Sequence, residues 1–172
     1  MQRNNKLLLC EIALFGVLGS ITFALKLALS GLPNIEPVSL LTMVYAVVFG
    51  KKCFYSVYVY AALEILVFGI GIWNIYYLYI WAILAFVAMA FRKAESPAVW
   101  AVISGAYGLL FGALCMPVDI VIGGFGYAAA RWVSGIPFDL LHCAGNFVFA
   151  LVFFVPLRKL LDKLYARMKS IH

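Results

Sequence analysis

The sequence is poor in charged residues and lacks the short motifs of common soluble enzymes. Only 12% of its 172 residues are Asp, Glu, Lys or Arg, about half the share found in an ordinary soluble domain. It contains no GxxxxGK[ST] phosphate loop, no HExxH zinc motif and no CxxC pair. We therefore expect no ATP, metal or dithiol site in this chain. No basic face with interleaved aromatic residues is present, which argues against nucleic-acid binding.

Apolar side chains, in contrast, are abundant. They make up 66% of the chain, and the mean hydropathy is +1.05, whereas a soluble domain is about 45–50% apolar. A soluble chain of this length could not bury so much apolar surface, so we predict an all-α integral membrane protein. The four cysteines are far apart and are interpreted as small apolar packing residues.

Six apolar runs predict a compact bundle of six transmembrane helices in one domain that covers 1–172. The runs lie at about 7–30, 38–50, 53–71, 73–91, 98–117 and 137–156. A bilayer core of about 30 Å needs roughly 20 apolar helical residues, and most of these runs meet that length. The first run has no clear small-x-small cleavage site, so we interpret it as a retained span and not as a signal peptide.

Basic residues fall on one side of this predicted bundle. If the N-terminus lies inside, segments 1–6, 50–53, 91–97 and 157–172 are cytoplasmic and contain eleven of the thirteen Lys and Arg residues. The exceptions are Lys26 and Arg131. Because cytoplasmic loops of membrane proteins are enriched in Lys and Arg, this distribution predicts that both termini are cytoplasmic.

Polar residues gather on the predicted outer side. Asn34 and Glu36 lie between two prolines in the first outer loop, which the fixed φ of proline makes stiff. Lys26 and Glu64 lie at similar depth within spans, where a charge is costly unless it is paired or hydrated. They form either an ion pair that pins two helices or part of an outward-opening cavity.

The start of the sixth span carries a polar stripe. Asp139, His142 and Asn146 follow spacings of three and four, so they share one helical face. Asp139 alone would complement the positive end of the helix dipole. Three polar residues within two turns favour a role in facing a ligand.

Aromatic residues are concentrated in the outer connections. Trp73, Asn74 and Tyr77 lie at the turn between the third and fourth spans. Such residues commonly form interfacial belts, but the cluster could instead stack on a planar ligand. The last outer loop, 118–136, contains several glycines and Arg131, and its length predicts a lid.

Small residues recur at every fourth position in the first span. Gly16, Ser20 and Ala24 form a smooth ridge that allows another helix to approach closely. The ridge serves either packing within the chain or docking of a partner membrane subunit.

One enzyme pattern is present in part. Ser104-Gly105 in the fifth span and His142 in the sixth resemble the serine and histidine of six-helix intramembrane proteases. The GxSG signature of those proteases needs glycine where this chain has Val102. We therefore predict no catalytic residues and no enzymatic activity.

The whole chain resembles the substrate-binding S components of energy-coupling factor (ECF) vitamin transporters. The resemblance is carried by six spans in 172 residues, by the small residues of the first span and by two segments. These segments are Leu32-Pro-Asn-Ile-Glu-Pro-Val-Ser-Leu-Leu-Thr42, followed by an apolar run to Phe49-Gly50, and Gly135-Ile-Pro-Phe-Asp-Leu-Leu-His142 with Asn146.

The resemblance implies a single-chain binder that captures a water-soluble vitamin outside a bacterial plasma membrane. Such S components associate with a membrane coupling subunit and two cytoplasmic ATPases, which alone bind ATP, and are thought to topple in the membrane. The family's AxxxA docking motif would fall on Gly16 and Ser20, both small but neither alanine. The mixed polar and aromatic residues suit a bulky, partly planar vitamin. Cobalamin or a flavin-like or pterin-like compound would fit, and of these we expect a cobalamin-like compound.

Two other classes of protein remain open. A small ion-coupled secondary transporter would need a route for the coupling ion and usually an inverted repeat, and this chain shows no clear repeat. A non-catalytic membrane scaffold would explain the helices but not the stiff polar loop at 31–37. Association with an ATPase module would distinguish the S component from both.

Overall fold

The computed structural model describes the backbone of residues 2–32 and 35–171 and the side chains of 8–32 and 35–170. Every regular element in this part of the chain is a helix, and it contains no strand. The all-α prediction is therefore confirmed. In chain order the elements are α1 (Gln2–Ala28), α2 (Val38–Phe49), a 3-10 turn (Gly50–Lys52), α3 (Cys53–Phe68), α4 (Ile72–Ala90), α5 (Pro97–Leu109) and α6 (Phe111–Ile171).

Much of the helical surface is apolar, which is the surface a bilayer requires. The described residues contain four helical stretches long and apolar enough to cross a membrane, namely Leu8–Ala28, Val38–Phe68, Ile72–Ala90 and Pro97–Ser170. Large apolar side chains are exposed, including Leu66 and Ile70. Soluble monomers rarely expose contiguous apolar surface on this scale. These helices indicate a membrane protein.

The stretch from α2 to α3 reverses direction at Gly50. This glycine has φ 58° and ψ −138°, a conformation that side chains disfavour. Before the turn, the Tyr45 hydroxyl donates to the Leu18 carbonyl oxygen over 3.3 Å. Farther along α2, the ring of Phe49 lies 5.3 Å from that of Phe15. Residues farther along α2 therefore contact residues nearer the start of α1, which shows that the two helices are antiparallel.

Helices α1 and α3 are parallel. Ion pairs join α1 to Lys52, the last residue of the 3-10 turn before α3, and to Glu64 within α3. The Lys52 ammonium lies 2.7 Å from the Glu11 carboxylate, and the Lys26 ammonium lies 2.6 Å from the Glu64 carboxylate. Between these pairs the helices approach closely at Gly19, where a Cβ atom would lie 2.7 Å from the Ser56 carbonyl oxygen. A larger residue at 19 would force α1 and α3 apart.

Helices α5 and α6 form one long antiparallel hairpin that bends at Gly124. Gly124 has φ 80° and ψ 174° within α6. Across the hairpin, Asn146 donates to the Ser104 carbonyl oxygen over 3.3 Å. Nearer the bend, the Gly112 amide donates to the Asp139 carboxylate over 3.2 Å. The predicted span 98–117 covers most of the first arm from its beginning at Pro97, and the predicted span 137–156 is the middle part of the second arm.

The predicted lid at 118–136 is wrong, because this segment is helical on both sides of Gly124. The glycines were interpreted as loop residues, but a glycine within a helix costs only about 1 kcal/mol relative to alanine. Close packing offsets that cost elsewhere in the hairpin, where a Cβ atom at Gly108 would lie 2.8 Å from the His142 carbonyl.

The two ends of the bundle carry different polar groups. At the end where α1 begins and α6 ends, here called the terminal end, three residues form a terminal cluster: Glu11, Lys52 and Tyr165. The Lys52 ammonium donates to both Glu11 oxygens over 2.7 Å, and the Tyr165 hydroxyl donates to one of them over 2.7 Å. The opposite end, which contains Lys26 and Glu64, is here called the distal end.

Candidate functional site

Two adjoining cavities open at the distal end and share Lys26 and Tyr77. The first cavity, of about 260 Å³, is lined by Lys26, Leu29, Ser30, Leu32, Ile35, Glu36, Tyr77, Phe111 and His142. The second, of about 360 Å³, is lined by Lys26, Glu64, Phe68, Trp73 and Tyr77. Residues from α1, the following loop, α3, α4 and α6 therefore meet at one place.

The Lys26–Glu64 ion pair lies between these cavities. The Lys26 ammonium is 2.6 Å from Glu64 Oε2, and the side chains are 22% and 1% exposed. It also lies 5.5 Å from the Phe68 ring centroid and 5.8 Å from that of Tyr77. The other carboxylate oxygen, Glu64 Oε1, is buried without a hydrogen-bond partner. The residues therefore form the expected pair and also line a cavity, with one oxygen left unsatisfied.

An aromatic cluster lies behind Tyr77. The Tyr77 ring is 5.5 Å from Trp81 and 6.0 Å from Tyr60, and Trp81 is 5.9 Å from Phe111. Trp81 Nε1 and the Tyr60 hydroxyl are buried without hydrogen-bond partners. Native structures leave few such groups unpaired. Neither residue lines the two cavities, so this cluster supports the cavity wall from behind.

Two polar residues reach the first cavity from opposite sides. Glu36 comes from the loop between α1 and α2, and His142 comes from α6. Burial raises the pKa of Glu36 to about 7, while Lys26 lowers it and Glu64 raises it further. His142 is 3% exposed and its ring lies 4.9 Å from that of Phe111. His142 Nε2 has no hydrogen-bond partner.

Five of the predicted binding residues line the cavities: Glu36, Glu64, Trp73, Tyr77 and His142. Asn34, in the same loop as Glu36, lies outside the described residues. The remaining four are placed elsewhere.

Those four residues make contacts within the helical framework. Asn74 Oδ1 accepts from the Gly71 amide over 2.6 Å at the start of α4. Asp139 accepts from the Gly112 amide across the hairpin, and Asn146 Nδ2 donates to Ser39 Oγ over 3.0 Å. In the stripe Asp139, His142 and Asn146, only His142 lines the cavity.

Arg131 lies near the bend of the hairpin. Its guanidinium is 3.4 Å from Asp119 Oδ1, and the same oxygen accepts from the Tyr76 hydroxyl over 2.6 Å. Arg131 also donates to the Tyr127 hydroxyl over 3.3 Å. These contacts tie α4 to both arms of the hairpin and do not reach the cavities.

Several contributors to the site had no distinctive signal in the sequence. Phe111 and Phe68 are ordinary apolar residues of predicted spans, and their place at the cavity wall depends on how the helices pack. Lys26 could be singled out as a charge within a span. Its position between two aromatic rings could not be predicted, because that depends on the parallel pairing of α1 and α3.

The small-residue ridge faces outward. Ser20 and Ala24 are exposed and Gly16 is half-buried, and a Cβ atom at Gly16 would meet nothing within 4 Å. The Ser20 hydroxyl donates to the Gly16 carbonyl oxygen over 3.0 Å. Within the described residues, Gly19 and not this ridge makes the close approach to another helix.

The structure gives no support to a protease or metal site. Ser104 Oγ and His142 Nε2 are each buried without a hydrogen-bond partner, so they do not form the hydrogen bond that joins a nucleophile to its base. No group of three or more His, Cys, Asp or Glu residues in the described chain is arranged to hold a metal ion.

Comparisons with known proteins leave the site to be interpreted from its own geometry. No family model matches the chain, and no curated protein or solved structure matches it.

Proposed function

We propose that this chain is the substrate-binding S component of an ECF-type importer that captures a water-soluble vitamin or related micronutrient. The observation that carries the proposal is the pair of distal cavities, where charged and aromatic side chains meet within an otherwise apolar bundle. Two of the lining residues each carry a buried polar atom without a hydrogen-bond partner, namely Oε1 of Glu64 and Nε2 of His142. Concave sites with a few converging polar groups are the usual form of a small-molecule site.

The proposed topology has six membrane crossings and cytoplasmic termini. The crossings are α1, α2, α3, α4 and the two arms of the hairpin. Basic segments from different parts of the chain meet at the terminal end, where the Arg158 guanidinium donates to the Ala94 and Arg92 carbonyl oxygens. By the positive-inside rule this end is cytoplasmic, which places the distal cavities outside a bacterial plasma membrane.

Cavity size bears on the choice of substrate. The cavities of about 260 and 360 Å³ fall near the lower end of the range for drug-sized ligands. A cobalamin-like compound is several times larger than such ligands. The geometry therefore favours a smaller vitamin with a planar ring over the corrinoid that the composition suggested.

The partners of the proposal are a membrane coupling subunit and two cytoplasmic ATPases, and ATP binds only to the latter. The outward ridge of Gly16, Ser20 and Ala24 is the proposed docking surface for the coupling subunit, because small residues let a partner helix approach closely. The exposure of Ser20 and Ala24 supports this assignment.

The alternatives explain fewer of these features. A membrane scaffold has no need for a buried carboxylate oxygen without a partner beside a cavity, since such a group costs about 1–3 kcal/mol. An ion-coupled secondary transporter would use the Lys26–Glu64 pair as a proton or ion site. It would transport without any ATPase module, which separates it experimentally from an S component.

The test is mass spectrometry of small molecules retained by the detergent-purified chain. We expect a stoichiometric vitamin-like compound that is lost from Trp73→Ala, which changes the cavity rim. Trp132→Ala is the matched control, because Trp132 is similarly exposed (38% against 41%) and does not line either cavity. Absence of any retained or added-back vitamin would contradict capture.

A second measurement addresses the partners. We expect the chain to co-purify with an ATPase module, and Gly16→Leu/Ser20→Leu to abolish that association while the ligand is still retained. Ala62→Leu, at an exposed position of α3, is the control. Undiminished association of the ridge variant would reject the docking surface, and transport without ATPases would favour the ion-coupled alternative.

A further inference from the structure

The geometry points to an organic cation with a planar ring as the ligand of the distal cavities. In this arrangement Glu64 and Glu36 face the positive charge, and Tyr77 and Trp73 contact the ring. This inference rests on the proposed capture of a small molecule and names the chemical class of what is captured.

The charge of the site is the first step. Among the described residues that line the cavities, Lys26 carries the one fixed positive charge, and two acids, Glu36 and Glu64, oppose it. When both carboxyls are ionised, the site has a surplus of one negative charge. A buried surplus is unfavourable by itself and is relieved when a cation enters.

The surroundings of Lys26 provide the second step. Its ammonium lies 2.6 Å from Glu64 Oε2 and within 6 Å of the ring centroids of Phe68 and Tyr77. A carboxylate with flanking aromatic rings is the arrangement in which proteins bind ammonium groups. The site therefore already holds one cation, supplied by the chain itself, and its walls suit a second.

Unused acceptors provide the third step. Glu64 Oε1 has no hydrogen-bond partner, and the carboxyl of Glu36 lines the neighbouring cavity. An anionic ligand drawn to Lys26 would have to approach these oxygens, which would repel it. A ligand with N–H donors on a positive group would satisfy them, and hydrogen bonds between charged groups are stronger than those between neutral groups.

The aromatic side chains that line the two cavities explain why the ligand is expected to have a planar ring. Tyr77 borders both cavities, Phe111 borders the first and Trp73 borders the second. Aromatic rings pack favourably in stacked or edge-to-face arrangements, so these side chains favour a flat ligand over a flexible aliphatic amine.

The test compares three small probes of nearly equal shape that differ in charge: benzamidinium, benzamide and benzoate. Their dissociation constants are measured by equilibrium dialysis against the purified chain in nanodiscs, with empty nanodiscs as the blank. We expect benzamidinium to bind at least tenfold more tightly than benzamide, and benzoate to bind most weakly. Binding of benzoate that equals or exceeds that of benzamidinium would overturn the inference.

The direction in which Lys26→Met changes the affinity for benzamidinium gives a second test. Removing the resident cation should strengthen benzamidinium binding several-fold, because Glu64 is then free for the probe. If Lys26 instead recognised an anionic group, the variant would lose benzoate binding and leave benzamidinium unchanged. Should Lys26→Met fail to fold, Glu64→Gln decides: benzamidinium binding should fall at least tenfold, and an unchanged dissociation constant for benzamidinium would overturn the inference.

The result separates this inference from the proposed function. A retained anionic or neutral vitamin, or tight benzoate binding, would contradict the inference that the ligand is a cation. It would leave the proposed capture of a small molecule unaffected. If no probe binds but a compound is retained on purification, the charge of that compound decides in the same way. If no probe binds and no compound is retained, capture and the cation fail together. Tight benzamidinium binding without any ATPase partner supports the cation and contradicts the S component.

Discussion

Among the described residues, two Glu–Lys pairs join α1 to α3 and to the turn that precedes α3, one at each end of the bundle. They differ in how many hydrogen bonds the carboxylate accepts. At the terminal end, both Glu11 oxygens accept from Lys52, and one also accepts from Tyr165. At the distal end, Lys26 contacts one Glu64 oxygen, and the other has no partner. The same two residue types are therefore built into different surroundings.

We propose that this difference separates a structural pair from a pair that binds a ligand. A carboxylate with all its hydrogen bonds made in the protein has little to gain from a ligand, and it stabilises the helices that it joins. A buried carboxylate oxygen without a partner costs free energy until something donates to it. Both pairs border cavities with aromatic side chains in their walls. Among the described residues, only the distal pair leaves a buried carboxylate oxygen without a partner, so we propose that ligand capture belongs to the distal end.

The largest expected effect comes from Gly108→Ala, which tests whether the hairpin holds His142 at the distal cavity. The new Cβ would lie 2.8 Å from the His142 carbonyl and 2.9 Å from the Cys143 amide nitrogen. Backbone atoms cannot rotate away, so we expect destabilisation of about 3 kcal/mol and weaker ligand retention. The measurement is the thermal unfolding midpoint in detergent together with the amount of retained ligand.

Gly126→Ala is the matched control for this substitution. A Cβ there meets nothing within 4 Å, so the protein should gain about 0.5–1 kcal/mol from the lower helical cost of alanine. Equal destabilisation by both variants would mean that the hairpin interface is not as close as described.

A smaller effect is expected from Lys52→Met, which breaks the terminal pair. Loss of one partner of a buried ion pair costs about 3–5 kcal/mol. Because the Lys52 side chain is 48% exposed, solvent screens the pair and we expect about 2 kcal/mol. The unfolding midpoint should fall while ligand affinity stays unchanged. Lys51→Met, at the exposed neighbouring position, should alter neither, and a loss of affinity in Lys52→Met would contradict the assignment of roles.

Tyr165→Phe removes a single contact from the terminal cluster. The Tyr165 hydroxyl donates to Glu11 over 2.7 Å, and the ring also packs 4.9 Å from Phe49. Since the ring is kept, only the hydrogen bond is lost, at a cost of about 1 kcal/mol. The unfolding midpoints of the variant and the parent protein give this difference, and an unchanged midpoint would show that the bond contributes nothing.

The smallest expected effect concerns the pH dependence set by Glu36. Burial raises its pKa to about 7 from an ordinary value of 4.5, so the folded chain binds more protons than the unfolded chain between these values. Stability therefore falls as pH rises from about 5 to 8. Part of the Glu36 surface is exposed, so solvent screens its charge. We therefore expect the free energy of unfolding to change by less than about 1 kcal/mol over this pH range. Unfolding midpoints at several pH values should show a flatter dependence in Glu36→Gln, and an unchanged dependence would contradict the assignment.

The helices could be predicted well because membrane spans are defined by length and hydropathy. The predicted runs 38–50 and 73–91 agree with α2 and α4 to within a residue at either end. The error at 118–136 has a physical cause. Glycine favours loops in general, but a glycine within a helix costs only about 1 kcal/mol relative to alanine. The sequence alone does not show which glycines lie in helices.

The site could be predicted only in part. Glu64 and Glu36 could be identified because a charge within or beside a span is unusual. Their roles could not be ranked against those of Asp139 and Asn146, because these are also polar residues of a span. The difference is that Asp139 and Asn146 make hydrogen bonds across the hairpin. Which polar groups are satisfied depends on helix packing, which no local pattern specifies.

The terminal cluster had no signal that distinguished it from ordinary anchoring charge. Glu11 and Tyr165 are separated by 154 positions in the sequence. Lys52 belongs to the basic residues that the positive-inside rule already explains. Only the three-dimensional arrangement shows that these residues form a pair matched to the one at the distal end.

The most direct test of the central claim uses the same substitution at both ends, Glu64→Gln and Glu11→Gln. Each variant is purified in detergent, and its retained small molecule is quantified by mass spectrometry beside its unfolding midpoint. We predict that Glu64→Gln loses the ligand, whereas Glu11→Gln keeps the ligand and unfolds at a lower temperature. Retention by a folded Glu64→Gln variant, or an equal loss from both, would contradict the assignment of ligand capture to the distal end.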